Sequence, residues 1–289
     1  MLFRSRGDRG RAIDDYTKAI AADLQFAEAY FRRGKAVGSS DWKRALADYA
    51  EAIRLNPQLV AAQHERAVAL LATGDVGGAI QGFTATIQLD PNFVPALYGR
   101  GTAYCVQHAY DQAVADLDQA TQLDPRSGEA YLRRGQALLA RGDTYGAASD
   151  ADRAMSLMPG RTEPHVLRAA VALAAKDYPR AITEYTTVIQ GDSQNAAAYV
   201  NRGVAYHRKG DLAAAVADYD NAVGIRFGLP AAWYNRGLAL YERRLKQSSH
   251  TSAYSQPVMS DLTRAIELDP KNADAYFNRG AMAYARSDM

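Results

Sequence analysis

One dipeptide recurs along most of the chain at a nearly constant interval. Arginine is followed by glycine or alanine eight times, and the small residues of these pairs are Gly34, Ala67, Gly101, Gly135, Ala169, Gly203, Gly237 and Gly280. The first six intervals are 33 or 34 residues, and the last is 43. A fixed period of this size indicates stacked structural units, each too small to bury its apolar face alone.

Other residue columns keep fixed distances from the small residue. A ring or long side chain stands four residues before it in most units, as at Tyr30, Leu97, Tyr131, His165, Tyr199, Trp233 and Tyr276. Alanine stands twelve residues after it in five units, at Ala79, Ala113, Ala147, Ala181 and Ala215. Such spacings place apolar residues on one face of a helix. Glycine can end a helix and aspartate can cap the next, which predicts a helix-turn-helix pair around Gly74-Asp75, Gly142-Asp143 and Gly210-Asp211.

The pattern Tyr199-x2-Arg202-Gly203-x2-Tyr206…Ala215-x3-Tyr219 resembles the tetratricopeptide repeat, W-x2-L-G-x2-Y…A-x3-F…P. Every unit departs from that pattern by having arginine in place of leucine. The resemblance covers nearly the whole chain. It implies an all-α, right-handed α-solenoid of antiparallel helix pairs, with a concave groove lined by the first helix of each pair. It also implies that the groove holds a peptide or a helix of a partner protein.

The period divides residues 1–289 into a single array. We expect a partial repeat at 1–26, repeats at 27–59, 60–93, 94–127, 128–161, 162–195, 196–229 and 230–272, and a terminal half repeat at 273–289. The last full repeat carries an insertion near 243–257, for which a solvated loop is favoured over a docking loop. Half repeats at both ends leave apolar faces without partners. A fragment of a longer array is the favoured explanation, and self-association through exposed half-repeat ends and fraying are the alternatives.

Composition excludes some classes of function. Lys and Arg number 34 against 32 Asp and Glu, so nucleic-acid binding is disfavoured. Cys105 is the only cysteine, which excludes an intrachain disulfide and a multi-cysteine metal site. No stretch has the pattern of a signal peptide or the length of a membrane span, and a cytoplasmic location is the default prediction.

An acidic column accompanies the arginines. An acid stands about fifteen residues after the small residue in most units, at Asp15, Asp48, Asp116, Asp150, Glu184, Asp218 and Asp261, and Gly82 is the gap. A partly buried guanidinium needs such a partner, so the column favours a structural role over ligand binding. Eight arginines are each preceded by a second helix, which predicts that each acid bridges to the arginine of the following unit. The predicted pairs include Asp15–Arg33, Asp48–Arg66 and Asp116–Arg134, and Arg100 is predicted to be unpaired.

The late part of the groove is the candidate ligand surface. Three asparagines stand two residues before the small residue, and the aromatic residues Tyr234, Tyr241 and Phe277 are predicted to face the groove nearby. An asparagine amide can donate to and accept from an extended peptide backbone. The alternative, that these amides are merely solvated, stays open. The predicted peptide-binding residues, called the late groove below, are Asn201, Tyr234, Asn235, Tyr241, Phe277 and Asn278.

A known subclass of the tetratricopeptide family binds a terminal carboxylate through an asparagine directly after the small residue. That position holds Lys35, Val68, Thr102, Gln136, Ala170, Val204, Leu238 and Ala281 here, so this clamp is not predicted.

Catalysis is not predicted. The five histidines are scattered over separate units, and no nucleophile elbow, phosphate loop or zinc-protease motif occurs. We therefore expect a non-catalytic protein-interaction scaffold without metal or cofactor. Two alternatives remain: a regulatory or substrate-recruiting repeat region of a larger enzyme or complex, and an RNA-binding helical repeat. The aliphatic middle of the predicted groove, at Leu132, Val166 and Leu173, argues against RNA.

Overall fold

The computed structural model describes residues 6–247 and 256–287, which form α-helices joined by short turns. Within these two ranges there is no β-strand. The predicted all-α class is confirmed, with consecutive helices packed as antiparallel pairs of an α-solenoid. The chain divides into two compact units, Met1–Asp143 and Thr144–Met289, which are described separately.

The first unit contains eight α-helices within its described residues, and each packs against the next. A single 3₁₀ turn, Gly38–Ser40, lies between the second and third helices, where the sequence is one residue short. The helices are α1 Arg6–Ala22, α2 Ala27–Val37, α3 Trp42–Leu55, α4 Val60–Ala72, α5 Val76–Leu89, α6 Val94–Val106, α7 Tyr110–Leu123 and α8 Gly128–Arg141.

The second unit also contains eight α-helices within its described residues. They are α9 Thr144–Leu157, α10 Glu163–Ala174, α11 Tyr178–Gly191, α12 Ala196–Lys209, α13 Leu212–Ile225, α14 Pro230–Gln247, α15 Gln256–Leu268 and α16 Ala273–Ser287. α14 has 18 residues where α12 and α13 have 14. The first part of the predicted 243–257 loop is therefore helical, because it continues the good helix formers of α14. Residues 248–255 lie outside the described residues.

The turns within the pairs have the predicted chemistry. Gly74 and Gly210 end their helices with φ of +88° and +91°, in the left-handed region that glycine adopts without strain. Asp75 then accepts a hydrogen bond from the Gly78 backbone N–H at 2.8 Å, and Asp211 caps α13 in the same way. These local interactions determine where the first helix of a pair ends and where the second begins.

The small-residue column permits close contact between the two helices of a pair. A Cβ built on Gly203 would lie 2.6 Å from Cε1 of Tyr219, and one on Gly34 would lie 2.7 Å from Cε1 of Tyr49. Both rings are almost fully buried. The glycines, which carry a cost in helix propensity, are explained by this contact.

Arg33, Arg100, Arg202 and Arg236 pair with the acid of their own unit, and the predicted pairs Asp15–Arg33, Asp48–Arg66 and Asp116–Arg134 are wrong. Arg33 Nη2 donates to Asp48 Oδ1 at 2.7 Å, and Arg202 Nη2 donates to Asp218 Oδ1 at 2.7 Å. Arg100 forms the same fork with Asp116, so it is not unpaired as predicted. The reason is the glycine contact, which brings the second helix of the same unit directly against the arginine.

The preceding second helix contributes a different column, two residues after the acids, which holds a carboxylate in some units and a threonine in others. Arg134, Arg168 and Arg236 bridge to the preceding unit through Asp118, Asp152 and Asp220 of this column, at 2.7, 2.8 and 2.7 Å. Arg33 Nη1 donates to Thr17 Oγ1 at 3.3 Å, Arg100 Nη1 to Thr84 Oγ1 at 3.1 Å and Arg202 Nη1 to Thr186 Oγ1 at 2.9 Å. In these repeats the guanidinium therefore joins three helices.

Arg66 is the exception in the described part of the chain, where its side chain has no hydrogen bond or ion pair. Gly82 stands at its acid position and Ala50 at its threonine position. A Cβ on Gly82 would lie 2.8 Å from the Cβ of Ala67, so α4 and α5 leave no room for an acid there.

Candidate functional site

A cavity of about 420 Å³ lies between α12, α13 and α14 of the second unit, and is called the α12–α14 pocket below. Its walls combine apolar, charged and amide side chains, which is the composition of ligand sites that orient a partly apolar ligand through a few polar groups. The lining residues are Val204, His207, Arg208, Tyr219, Tyr234, Asn235, Leu238 and Glu242.

The repeat period explains how these residues come together. Val204 and Leu238 stand one residue after their respective glycines, and Arg208 and Glu242 stand five residues after them. α12 and α14 thus present equivalent faces to the pocket. Tyr219 comes from α13, and its ring lies against Gly203.

The hydroxyl of Tyr219 is the least satisfied polar group of the pocket. Tyr219 is fully buried, and its hydroxyl oxygen has no hydrogen-bond partner among the described residues. Burial raises the pKa of Tyr219 well above its ordinary value; Asp218 and Glu242 raise it further and Arg208 opposes them. The phenol is therefore a neutral donor at physiological pH. A buried, unsatisfied hydroxyl costs about 1–3 kcal/mol of stability.

Two further polar side chains of the pocket lack a protein partner. Arg208 is exposed, and neither it nor Asn235 forms a side-chain hydrogen bond or ion pair within residues 6–247 and 256–287. His207 and Glu242 are paired with each other, with Nε2 3.1 Å from Oε1. The pocket thus holds one engaged polar pair and three side chains with free hydrogen-bonding capacity.

A second cavity, of about 570 Å³, lies between α1 and α2 of the first unit and is called the α1–α2 pocket below. Its cationic residues are engaged. Arg9 donates to the carbonyls of Ala36 and Val37. Arg32 is paired with Glu28, and Lys35 with Glu65. This larger cavity therefore offers a ligand less unused hydrogen-bonding capacity.

The sequence profile of a family described as tetratricopeptide repeat matches residues 35–92, 98–158 and 166–228, more than half of the chain. The chain belongs to the tetratricopeptide repeat family. No curated protein matches it.

Solved structures of other tetratricopeptide proteins are similar in fold. A chain of the APC/C hetero-tetramer Cut9-Hcn1 matches with a TM-score of 0.69 and 15% identity over 93% of this chain, which spans 52% of that chain. A tetratricopeptide repeat protein from Parabacteroides merdae matches with a TM-score of 0.67 and 15% identity, covering 93% of this chain and 99% of that one. YrrB, described as a TPR protein with an unusual peptide-binding site, matches with a TM-score of 0.54 and 22% identity, covering 64% of this chain and 95% of that one.

The tetratricopeptide array brings together some of the late groove. Tyr234 and Asn235 line the α12–α14 pocket, and Asn278 donates from Nδ2 to the Tyr234 hydroxyl at 3.0 Å. Burial is the main reason that the pKa of Tyr234 lies above its ordinary value. Asn278 therefore acts on the pocket by holding Tyr234.

The other predicted residues of the tetratricopeptide groove lie outside the pocket. Tyr241 is half-buried and packs against the cluster of Val258, Leu262 and Met282. Phe277 on α16 is 76% exposed. Asn201 is half-buried and is not among the residues that line the pocket.

Of the residues that line the pocket, only Tyr234 and Asn235 were predicted; Arg208, Tyr219 and Glu242 are among those that were missed. Arg208 and Glu242 share one column, five residues after the glycine, and this fixed offset is the signal that could have identified both. Tyr219 stands in the column of Phe83, Leu117, Ala151 and Tyr185, which are all buried and carry no signal of a ligand site. Its unsatisfied hydroxyl depends on neighbours that the sequence pattern does not specify.

In the part of the array that the structure describes, no group of three or more His, Cys, Asp or Glu side chains is arranged to hold a metal ion. Among the same residues, no helix combines the length and apolar character that crossing a membrane requires.

Proposed function

We propose that this tetratricopeptide array is a non-catalytic interaction scaffold that binds an extended peptide or a helix of a partner protein in the groove of its second unit. The observation that supports this most directly is the α12–α14 pocket, where Arg208, Asn235 and the Tyr219 hydroxyl have no partner among the residues that the structure describes. Unused hydrogen-bonding groups beside apolar walls are what a peptide ligand requires.

Each side chain has a part in this proposal. The amide of Asn235 donates to and accepts from the peptide backbone. Val204, Leu238 and the ring of Tyr234 contact the apolar part of a peptide side chain. Asn278 keeps the Tyr234 ring in place through its 3.0 Å hydrogen bond. The similarity to YrrB, a peptide-binding protein of the same fold, supports the class of ligand. The same surface would serve a recruiting region of a larger enzyme or complex.

The test begins with peptides selected from a random display library on the immobilised chain. Their affinity is then measured by fluorescence anisotropy for the chain and for a variant with Asn201, Asn235 and Asn278 replaced by alanine. We expect at least ten-fold weaker binding, with unchanged helicity by circular dichroism. Gln190→Ala with Asn221→Ala, on exposed positions of α11 and α13, is the matched control. Equal affinity of the triple variant and the control would reject the asparagines as ligand groups.

Self-association is a second candidate, favoured by the outer face of α16. Phe277 and Tyr284 are 76% and 70% exposed. Arg279 donates to Thr263 but has no carboxylate partner among the described residues. Asp15 on α1 occupies an acid position, and within the same residues its ion pair is with the exposed Lys18. A second copy could supply Asp15 to Arg279. Sedimentation velocity should show a concentration-dependent dimer or larger species that Arg279→Asp abolishes and Arg279→Asp with Asp15→Arg restores.

A further inference from the structure

We infer that the α12–α14 pocket binds the carboxylate of an acidic side chain, Asp or Glu, of the peptide ligand. The inference rests on the proposed function and adds the chemical class of the residue that anchors the peptide. It concerns a side-chain carboxylate within the peptide, not the peptide's carboxy terminus.

The charge that would attract this group is Arg208. It is the charged residue of the pocket without an ion-pair partner in the described part of the chain, because Glu242 is engaged with His207 at 3.1 Å. A guanidinium has five N–H donors in a planar fork that matches a carboxylate. Elsewhere in the array the same geometry is used internally, as in the fork of Arg202 on Asp218 at 2.7 and 2.9 Å.

The donor that would complete the site is the hydroxyl of Tyr219. It is buried and unsatisfied, and its burial keeps the phenol protonated. Packing does not require it: Phe83 fills the same column of the α4–α5 repeat and is also fully buried. A neutral O–H donor and a guanidinium together form charge-assisted hydrogen bonds to an anion, which are stronger than neutral ones.

The remaining walls fit the stem of such a side chain. Val204 and Leu238 contact its methylene groups, and Asn235 can donate to the second carboxylate oxygen. The Tyr219 hydroxyl is buried out of reach of water, so pocket side chains must move for a ligand to reach it. Arg208 is exposed and unpaired, and its side chain is free to change rotamer.

The experiment uses two random ten-residue display libraries on the immobilised full chain. In the first library the carboxy end of the random segment is fused to the display protein, so that only a side chain of the segment can offer a carboxylate. In the second library the segment ends in a free carboxy terminus. We expect the first library to yield peptides with Asp or Glu at one fixed position. Replacing that residue by Asn or Gln should weaken binding at least ten-fold.

Two variants test the residues. Arg208→Gln and Tyr219→Phe should each remove the preference for the acid, bringing the affinity ratio of acidic to amide peptide close to one. Tyr219→Phe should also raise the urea midpoint of unfolding, since it removes an unsatisfied buried hydroxyl without removing the ring. Tyr185→Phe, in the same column of the preceding repeat, is the matched control and should change neither the preference nor the selected peptides.

The outcomes separate this inference from the proposed function. If neither library yields peptides above a blank surface, the proposed function fails. Peptides without a fixed acid, or an acid preference that persists in Tyr219→Phe and Arg208→Gln, would leave the scaffold role intact and overturn the carboxylate pocket. Selection only from the library with a free terminus would assign the carboxylate to the chain end and also overturn it.

Discussion

The α4–α5 and α12–α13 repeats have residues in the same columns, but a different polar group lacks a partner in each. In α12–α13, Arg202 is bonded to Asp218 and Thr186 and lies near the ring of Tyr199, whereas the Tyr219 hydroxyl is unsatisfied. In α4–α5, Arg66 has no polar partner in the described part of the chain, and the ring at the Tyr219 position is Phe83, which needs none. The comparison shows that a repeat can fold without the acid that pairs with its arginine. The Tyr219 hydroxyl, in contrast, has no structural partner and is available to a ligand.

The two pockets support the same distinction. The α1–α2 pocket is larger, about 570 Å³ against 420 Å³, but its cations are paired within the chain. In the α12–α14 pocket, Arg208 and Asn235 form no side-chain hydrogen bond or ion pair with the residues that the structure describes. Unused hydrogen-bonding capacity identifies the better candidate site here, because a ligand gains little from groups that already have partners.

The largest expected effect comes from breaking the contact that positions Tyr219. In Gly203→Leu, the added side chain would collide with a ring that lies 2.6 Å from the position of the new Cβ. We expect a loss of about 3 kcal/mol in the free energy of unfolding, measured by urea denaturation, together with loss of peptide binding. Gly280→Leu is the control: no described atom lies within 4 Å of its added Cβ, so stability should be unchanged or slightly higher. If Gly203→Leu were as stable as Gly280→Leu, the contact with Tyr219 would not be the reason for glycine in this column.

A smaller effect is expected from the arginine network, and it tests the difference between the repeats directly. Asp218→Asn leaves the guanidinium of Arg202 without its carboxylate in a partly buried site, and should destabilise the chain by about 2 kcal/mol. The hydrogen bond to Asp218 raises the pKa of Arg202 in the original chain. The guanidinium stays charged in the variant because an arginine does not lose its proton at neutral pH even without such a partner. Arg66→Gln removes an arginine without a polar partner and should change stability by less than about 0.5 kcal/mol. Urea midpoints that fall equally in both variants would contradict a network specific to the paired repeats.

The smallest effect is a pH dependence confined to the α4–α5 repeat. His64 packs against Phe83 and Phe93, and burial lowers its pKa below the ordinary value. The unfolded state therefore binds the proton more readily, so this contribution to stability is complete above about pH 6.5 and is lost as pH falls from there towards the folded-state pKa. Comparing urea midpoints at pH 7.5 and 5.5, we expect a smaller decrease in His64→Gln than in the original chain. The same decrease in both would assign the pH dependence to other groups.

Much of the fold could be predicted from the sequence because it depends on local spacing. The period predicts the helix pairs. Gly74-Asp75 and Gly210-Asp211 predict the turns, since capping and left-handed conformations depend on only a few neighbouring residues. Of the candidate site, Tyr234 and Asn235 were found because they keep a fixed offset from Gly237. The predicted loop at 243–257 begins as helix, because nothing at Arg243 ends α14.

The sequence by itself determined the repeat family, the helix pairs and the columns of small, acidic and basic residues, all of which follow from periodicity. Only the tertiary structure decided which carboxylates each arginine binds, because the guanidinium lies between the second helix of its own unit and that of the preceding unit, as Arg236 does between Asp261 and Asp220. It alone decided that the Tyr219 hydroxyl is buried without a partner among the described residues and that Arg208 lines the same pocket. Those facts depend on three helices whose residues are far apart in the chain and meet only through packing.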